Sequence, residues 1–254
     1  SNVTVFVGPD PVYLIGVPET VALDPSYRGP RYGGAEERVV PRLETAPVLD
    51  GELADWTAVQ AAGPLAELNR ARAVLSESTR PWGGTNDVAA RFWAGWCPTG
   101  LYFAVQVADD ACVTGQDAVE LFLDAREEWK HFFVEYQPGV LHLRLEPGPD
   151  GTVRISTPPY SKTNYYAARK PVASGVEARG NVNQGGYTIE GLIPWGPPNT
   201  ETAQLKPETI VRLGLLVRDA DPDQAGTVTL KWHAGVASDH DTTGWCTVGM
   251  QAAK

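Results

Sequence analysis

Turn-forming residues recur so often in this sequence that long helices have no room to form. Twenty-six glycines and 21 prolines cut the 254 residues into short segments rich in Val, Ile, Leu, Tyr and Phe. Runs of that composition between turn residues read as β-strands. Strands are predicted over 3–7, 11–17, 88–96, 101–107, 118–124, 132–136, 140–145, 153–157, 187–193, 210–217 and 227–232. Only LAELNRARAVLS (65–76) carries a helical period in good helix formers, and it reads either as a helix or as one or two turns within a loop.

The clearest hairpin is joined by Cys97-Pro98-Thr99-Gly100, since proline and glycine in a four-residue link favour chain reversal. In its second strand Leu101, Phe103, Val105 and Val107 alternate with Tyr102, Ala104 and Gln106. One face is therefore wholly apolar and belongs between packed sheets. Strands do not alternate with helices, so the expected class is all-β: a β-sandwich or jelly roll of antiparallel sheets with few short helices. A chain of this length can form one large β-domain and bury roughly 70% of the surface its unfolded form exposes.

DPSYRGPRYGGAEE (24–37) interrupts the strand pattern with Pro, Gly and charge and reads as a linker. The expected organisation is N-terminal strands over 1–23, a linker over 24–41 and a β-sandwich over 42–254. The first residues, SNVTVFVGPDP, show neither the basic start nor the apolar stretch of a signal peptide. The formal net charge is −10, and the basic residues form no stripe, which argues against a nucleic-acid partner. No apolar run is long enough for a membrane span. Three cysteines, Cys97, Cys112 and Cys246, permit one disulfide; Cys97 with Cys112 and three free thiols are both open readings.

GQDAVELFLDA (115–125) holds three carboxylates inside an apolar strand. Period-two geometry places Asp117, Val119, Leu121 and Leu123 on one face and Ala118, Glu120, Phe122 and Asp124 on the other. Glu120 and Asp124 then stand about 13 Å apart, beyond the roughly 5–9.5 Å that separates glycosidase carboxylates. The strand holds no local catalytic pair. Glu120 is read either as an acceptor for ligand hydroxyls or as the partner of an arginine on a neighbouring strand, with Arg91, Arg212 or Arg218 available. Arg212, Gly214, Leu216 and Arg218 alternate to one face, where two guanidinium groups could grip sugar hydroxyls or a carboxylate.

Six short motifs follow in order: VLDGELADW (48–56), GLYFAVQVADD (100–110), QDAVELFLD (116–124), GGYTIEGLIPW (185–195), LGLLVRDAD (213–221) and LKW (230–232). Together they resemble the family 9 carbohydrate-binding modules and their DOMON-like relatives. The resemblance implies a non-catalytic β-sandwich attached to polysaccharide-degrading enzymes. It also implies a site in which two tryptophans clamp a terminal sugar, a glutamate binds its hydroxyls, and an Arg and an Asn stand on the next strand. Glu120 matches the glutamate. Thr114 and the segment around Ala237 stand where the clamping tryptophans belong, and Phe133 and Glu135 are aligned with the Arg and Asn. The N-terminal strands resemble those that close accessory sandwiches of glycoside hydrolases.

An aromatic platform for sugar C–H faces would then come from Trp82, in the loop RPWGGTND, or Trp129, in REEWKHFF, with Tyr160, Tyr165 and Tyr166 as a third choice. Trp56, Trp93, Trp96, Trp195 and Trp232 read as packing residues. Asp109 and Asp110 are the expected ligands of a structural calcium, such as related modules carry, and Asp219, Asp221 and Asp223 offer further hard oxygen donors. Zinc on His233, Asp239, His240 and Asp241 would need the loop to fold back. No phosphate loop, nucleophile elbow or HExxH motif is present.

The expected carbohydrate-binding residues are thus Glu120, Trp82, Trp129, Glu135 and Arg218. The expected setting is an extracellular or cell-surface protein in which carbohydrate and a parent catalytic domain are the partners. The other open reading is a structural or protein-interaction sandwich that has lost its sugar site.

Overall fold

A computed structural model describes residues 38–126, 139–158, 175–196, 210–235, 238, 242 and 244–250. The expected N-terminal strands, most of the linker and the strand expected over 132–136 lie outside the described residues. The described chain runs β1 (Arg38–Val40), α1 (Thr57–Ala62), β2 (Ala66–Leu68), β3 (Val88–Cys97), β4 (Gly100–Asp109), β5 (Ala118–Asp124), β6 (Val140–Pro147) and β7 (Val153–Ser156). It continues with β8 (Glu177–Asn183), β9 (Gly186–Pro194), β10 (Ile210–Asp219), β11 (Val228–Trp232) and β12 (Cys246–Met250). One sheet is ordered β1-β12-β10-β5-β6-β7 with β11 also on β10, and the other β2-β3-β4-β9-β8. Every pairing is antiparallel except β1 with β12.

The alternation read from the sequence sets the layers. Leu101, Phe103, Val105 and Val107 of β4 and Val119, Leu121 and Leu123 of β5 meet in one buried cluster between the sheets. The hairpin turn is as expected, with Cys97 opposite Gly100. The β10 edge away from β5 is shared, β12 taking Ile210 to Leu213 and β11 taking Leu215 to Asp219. β5 therefore lies next to β10 on one side and β6 on the other, and its outer-face residues are flanked by two strands.

LAELNRARAVLS is not a helix. Ala66–Leu68 pairs with β3, Ala71–Ala73 makes one 3₁₀ turn, and Val74 bridges to Leu230. Its buried positions, Leu65, Ala66, Leu68, Ala73 and Leu75, follow no single helix face because the chain crosses from one sheet edge to the other. β1 forms from the last residues of the segment read as linker.

The motif DGELADW is anchored by the buried Glu190 of β9. Its carboxylate accepts hydrogen bonds from the backbone N–H of Asp50 (3.1 Å) and Gly51 (2.6 Å) and from the Trp56 indole N–H. Gly51 has φ +87°, and a Cβ there would meet the Gly180 backbone at 2.6 Å, so only glycine serves. All three cysteines are free thiols.

Candidate functional site

Glu120 lies on the outer face of the larger sheet, opposite Leu216 on β10 and Arg144 on β6. It is buried, and both carboxylate oxygens are taken. Oε1 accepts from Arg218 Nε at 2.5 Å and Arg144 Nη1 at 3.1 Å, while Oε2 lies 2.9 Å from His142 Nε2. Burial alone would raise this carboxyl, but the His142 hydrogen bond and the Arg218 charge outweigh it and hold it at about 2. Arg144 also donates to Glu146 at 3.0 Å, and Glu146 pairs in turn with Arg154. His142 stacks on Phe122 with centroids 4.3 Å apart, and Phe122 meets Trp245 at 5.3 Å. The outer face is thus an alternating row of carboxylates and guanidinium groups beside a buried aromatic cluster.

Of the three arginines expected as partners, only Arg218 reaches Glu120. Arg212 stands opposite Asp124 and donates to the Thr242 carbonyl at 3.4 Å, and Arg91 pairs with Glu67 at 3.4 Å on the other sheet. Asp124 is gripped by Arg126 through bonds of 2.8 and 2.6 Å, with both side chains fully buried. Glu120 and Asp124 serve separate ion pairs, in agreement with their spacing. Asp117 clamps two loops, accepting from the Val113 N–H at 2.5 Å and the Ala220 N–H at 2.8 Å.

A second carboxylate-rich region forms where the ends of β4 and β10 meet the loops before β3 and β5. Arg80 binds Asp87 at 2.8 Å, Asp221 at 2.9 Å and Asp219. Asp109, Asp219 and Asp221 bring oxygens within 4.8 Å of one another, as do Asp87, Asp110 and Asp221; a third group joins Asp109 and Asp117 to Cys112. Burial, followed by repulsion from Asp109, pushes Asp219 up to about 8, and Asp109 rises to about 6 for the same first cause. Asp109 Oδ2, Asp219 Oδ1 and Asp221 Oδ1 are buried without a hydrogen-bond partner, as is the Tyr187 hydroxyl. Hard, converging oxygens with unused lone pairs suit a divalent cation such as calcium. None of the three groups contains a histidine, and Asp239, His240 and Asp241 lie outside the described residues.

The family model described as "Carbohydrate family 9 binding domain-like" matches residues 69–252. The chain belongs to this family. As a family 9 module it is a non-catalytic binding domain. Among solved structures it is similar to a family 9 module from Caldicellulosiruptor kristjanssonii in complex with cellotriose. That match has 17% identity and TM-score 0.60, and covers 86% of this chain and 95% of the other. A family 9 module from the same organism in complex with glucose matches at 18% identity and TM-score 0.56, covering 85% and 97%. No curated protein matches. These likenesses establish the β-sandwich fold.

On the side of β5 away from β10, β6 turns His142 and Arg144 toward Glu120. Phe133 and Glu135, which the resemblance aligns with the family's Arg and Asn, lie outside the described residues with Trp129, Tyr160, Tyr165, Tyr166 and Ala237. Thr114 is exposed in the loop before β5. Trp82 is half-buried against the sandwich core, and its indole N–H is satisfied by the Val88 carbonyl at 2.9 Å. It shares no hydrogen bond with the Glu120 row. Arg144 was the missed residue; alternation had marked 140–145 as a strand, but register alone puts Arg144 opposite Glu120.

Proposed function

We propose that this module binds carbohydrate on the outer face of the larger sheet, with Arg144 and Arg218 as the groups that meet the sugar and Glu120 as the residue that holds them. The observation that carries this reading is the contrast in exposure along the row. The side chains of Glu120 and Glu146 are 6% and 4% exposed, whereas those of Arg144, Arg218 and Arg154 are 24%, 37% and 69% exposed. The carboxylates are spent on fixing the arginines, and the face offers planar, pre-oriented donors to hydroxyl oxygens. The glucose and cellotriose bound by the two similar modules favour a neutral glucan as ligand.

A calcium ion held by Asp109, Asp219 and Asp221, with Asp110 at the rim, would tie the end of β4 to that of β10. It would supply structural charge balance rather than chemistry. The setting that suits such a module is a secreted or surface protein carrying a polysaccharide-processing domain. Isothermal titration of the chain with glucose and cellotriose tests the reading: saturable binding is expected, and no heat at millimolar sugar overturns it.

A further inference from the structure

The Glu120 row is not the only polar surface of the module. A cleft of about 1020 Å³ opens where the β2 edge of one sheet approaches the β11 edge of the other. Ligand pockets typically occupy about 300–1,000 Å³, so this one has room for an oligosaccharide. None of its lining residues belongs to β5, β6 or β10, which separates it from the Glu120 row.

Its charge opposes that of the chain. The protein carries −10, yet among the described residues the cleft is lined by Arg38, Arg70, Arg72 and Lys231 and by one carboxylate, Glu67. Glu67 is engaged with Arg91. Arg70 and Arg72 are exposed and Lys231 is partly so, and these three form no ion pair with any described carboxylate. Cations gathered in a concave wall focus a positive potential there.

The walls are fixed before any ligand arrives. β2 is hydrogen-bonded to β3 and β11 to β10, and the two walls are joined by the Val74–Leu230 bridge and by the Leu75 N–H donating to the Thr229 carbonyl at 2.8 Å. Trp232, half-buried against Phe92 with centroids 5.7 Å apart, lends the cleft an aromatic surface. His233, at φ +47°, is the one non-glycine among the described residues in the left-handed region, and its ring stands edge-on to Trp232 at 5.1 Å. Such backbone strain concentrates at ligand-binding places.

We infer that this cleft is a second binding site, for an acidic oligosaccharide whose uronate carboxylates pair with Arg70, Arg72 and Lys231 while a sugar ring lies against Trp232. The inference rests on the reading of the chain as a carbohydrate binder and extends it to a charged class of ligand. Guanidinium forks meet a carboxylate with two parallel hydrogen bonds, and the methyl ester of the same sugar would forfeit both charge and fork.

The test is calorimetric titration with an oligogalacturonate, its methyl ester, a sulfated oligosaccharide of equal charge and cellotriose. Each ligand is run against the unaltered chain and against R70Q/R72Q/K231Q, whose thermal melt checks that the surface changes leave the fold intact. The oligogalacturonate should bind at least about tenfold tighter than its ester and weaken with added salt. The triple variant should lose about tenfold or more of that affinity while keeping its affinity for cellotriose. Equal binding of acid and ester, or unchanged binding by the triple variant, overturns the site. A preference for the sulfated sugar overturns the carboxylate assignment. Cellotriose binding without acid binding leaves the Glu120 reading standing and removes this one; acid binding lost in the triple variant without cellotriose binding does the reverse.

Discussion

Two buried groups of carboxylates in this module face opposite electrostatic circumstances. Glu120 has two guanidinium groups and an imidazole against it and is held at about 2, well below the ordinary carboxylate range. At the ends of β4 and β10, Arg80 is the one cation among the described residues that pairs with Asp87, Asp219 and Asp221, while Asp109 and Asp117 add further negative charge nearby, and Asp219 is driven up to about 8. Burial is common to both, so partners decide the sign. The first group balances the Glu120 charge with its own cations and can present its arginines outward, although His142 Nδ1 is buried without a hydrogen-bond partner. The second has more charge than the chain itself neutralises, which is the state a bound cation relieves.

The largest effect expected from breaking this contrast is at Arg80. Arg80→Met leaves these buried carboxylates without the guanidinium that pairs with them and should cost about 3–5 kcal/mol in urea denaturation. Millimolar calcium should restore part of that loss, and no response to calcium would exclude a cation role for the cluster. Next is Glu120→Gln, which strands two arginines and His142 and should cost up to about 3 kcal/mol near neutral pH. The sign with pH follows from the lowered value. Glu120 contributes fully above its ordinary 4.5 and loses that contribution as pH falls toward about 2. The stability difference between the unaltered chain and the variant should therefore shrink below pH 4.5, whereas a constant difference would show that the ion pairs are not its source.

Adding calcium to the unaltered chain comes third. At a hundredfold excess over its dissociation constant, a single site stabilises by about 2.7 kcal/mol, read as a rise in melting temperature that chelation reverses and Asp219→Asn abolishes. The smallest effect belongs to Arg154→Ala. Its side chain is mostly exposed, so despite the pair with Glu146 the loss should stay within about 1 kcal/mol.

How much of this was legible in the sequence depends on whether the signal was local. The β3–β4 hairpin and the bounds of β5 follow from alternation within a few residues. β8, EARGNVN, was missed because an edge strand can be polar, and β12, CTVGM, because it is short and carries a glycine. Of the two readings of 65–76 the helix fails and the turn stands, because its buried residues answer to two sheets, not one helix face. At the site, Glu120 could be named in advance because the family resemblance matches it to the sugar-binding glutamate, and Arg218 because it alternates to one face of its strand as a possible partner for Glu120. Arg144 could not, because its place opposite Glu120 depends on a register set across an intervening segment. The acidic cluster was half-legible: Asp109, Asp219 and Asp221 stood out as oxygen donors, but Asp87 and the counter-ion Arg80 enter from a distant loop.

The central claim is that the arginines fixed by Glu120 are the sugar-binding groups. Titration of cellotriose into the unaltered chain and into R144A/R218A measures it most directly, with melting curves confirming that both are folded. The account predicts saturable binding by the first and a loss of at least about tenfold in the second, since hydrogen bonds from charged donors are each worth about 1.5–3 kcal/mol. Equal affinity in the two proteins would contradict it.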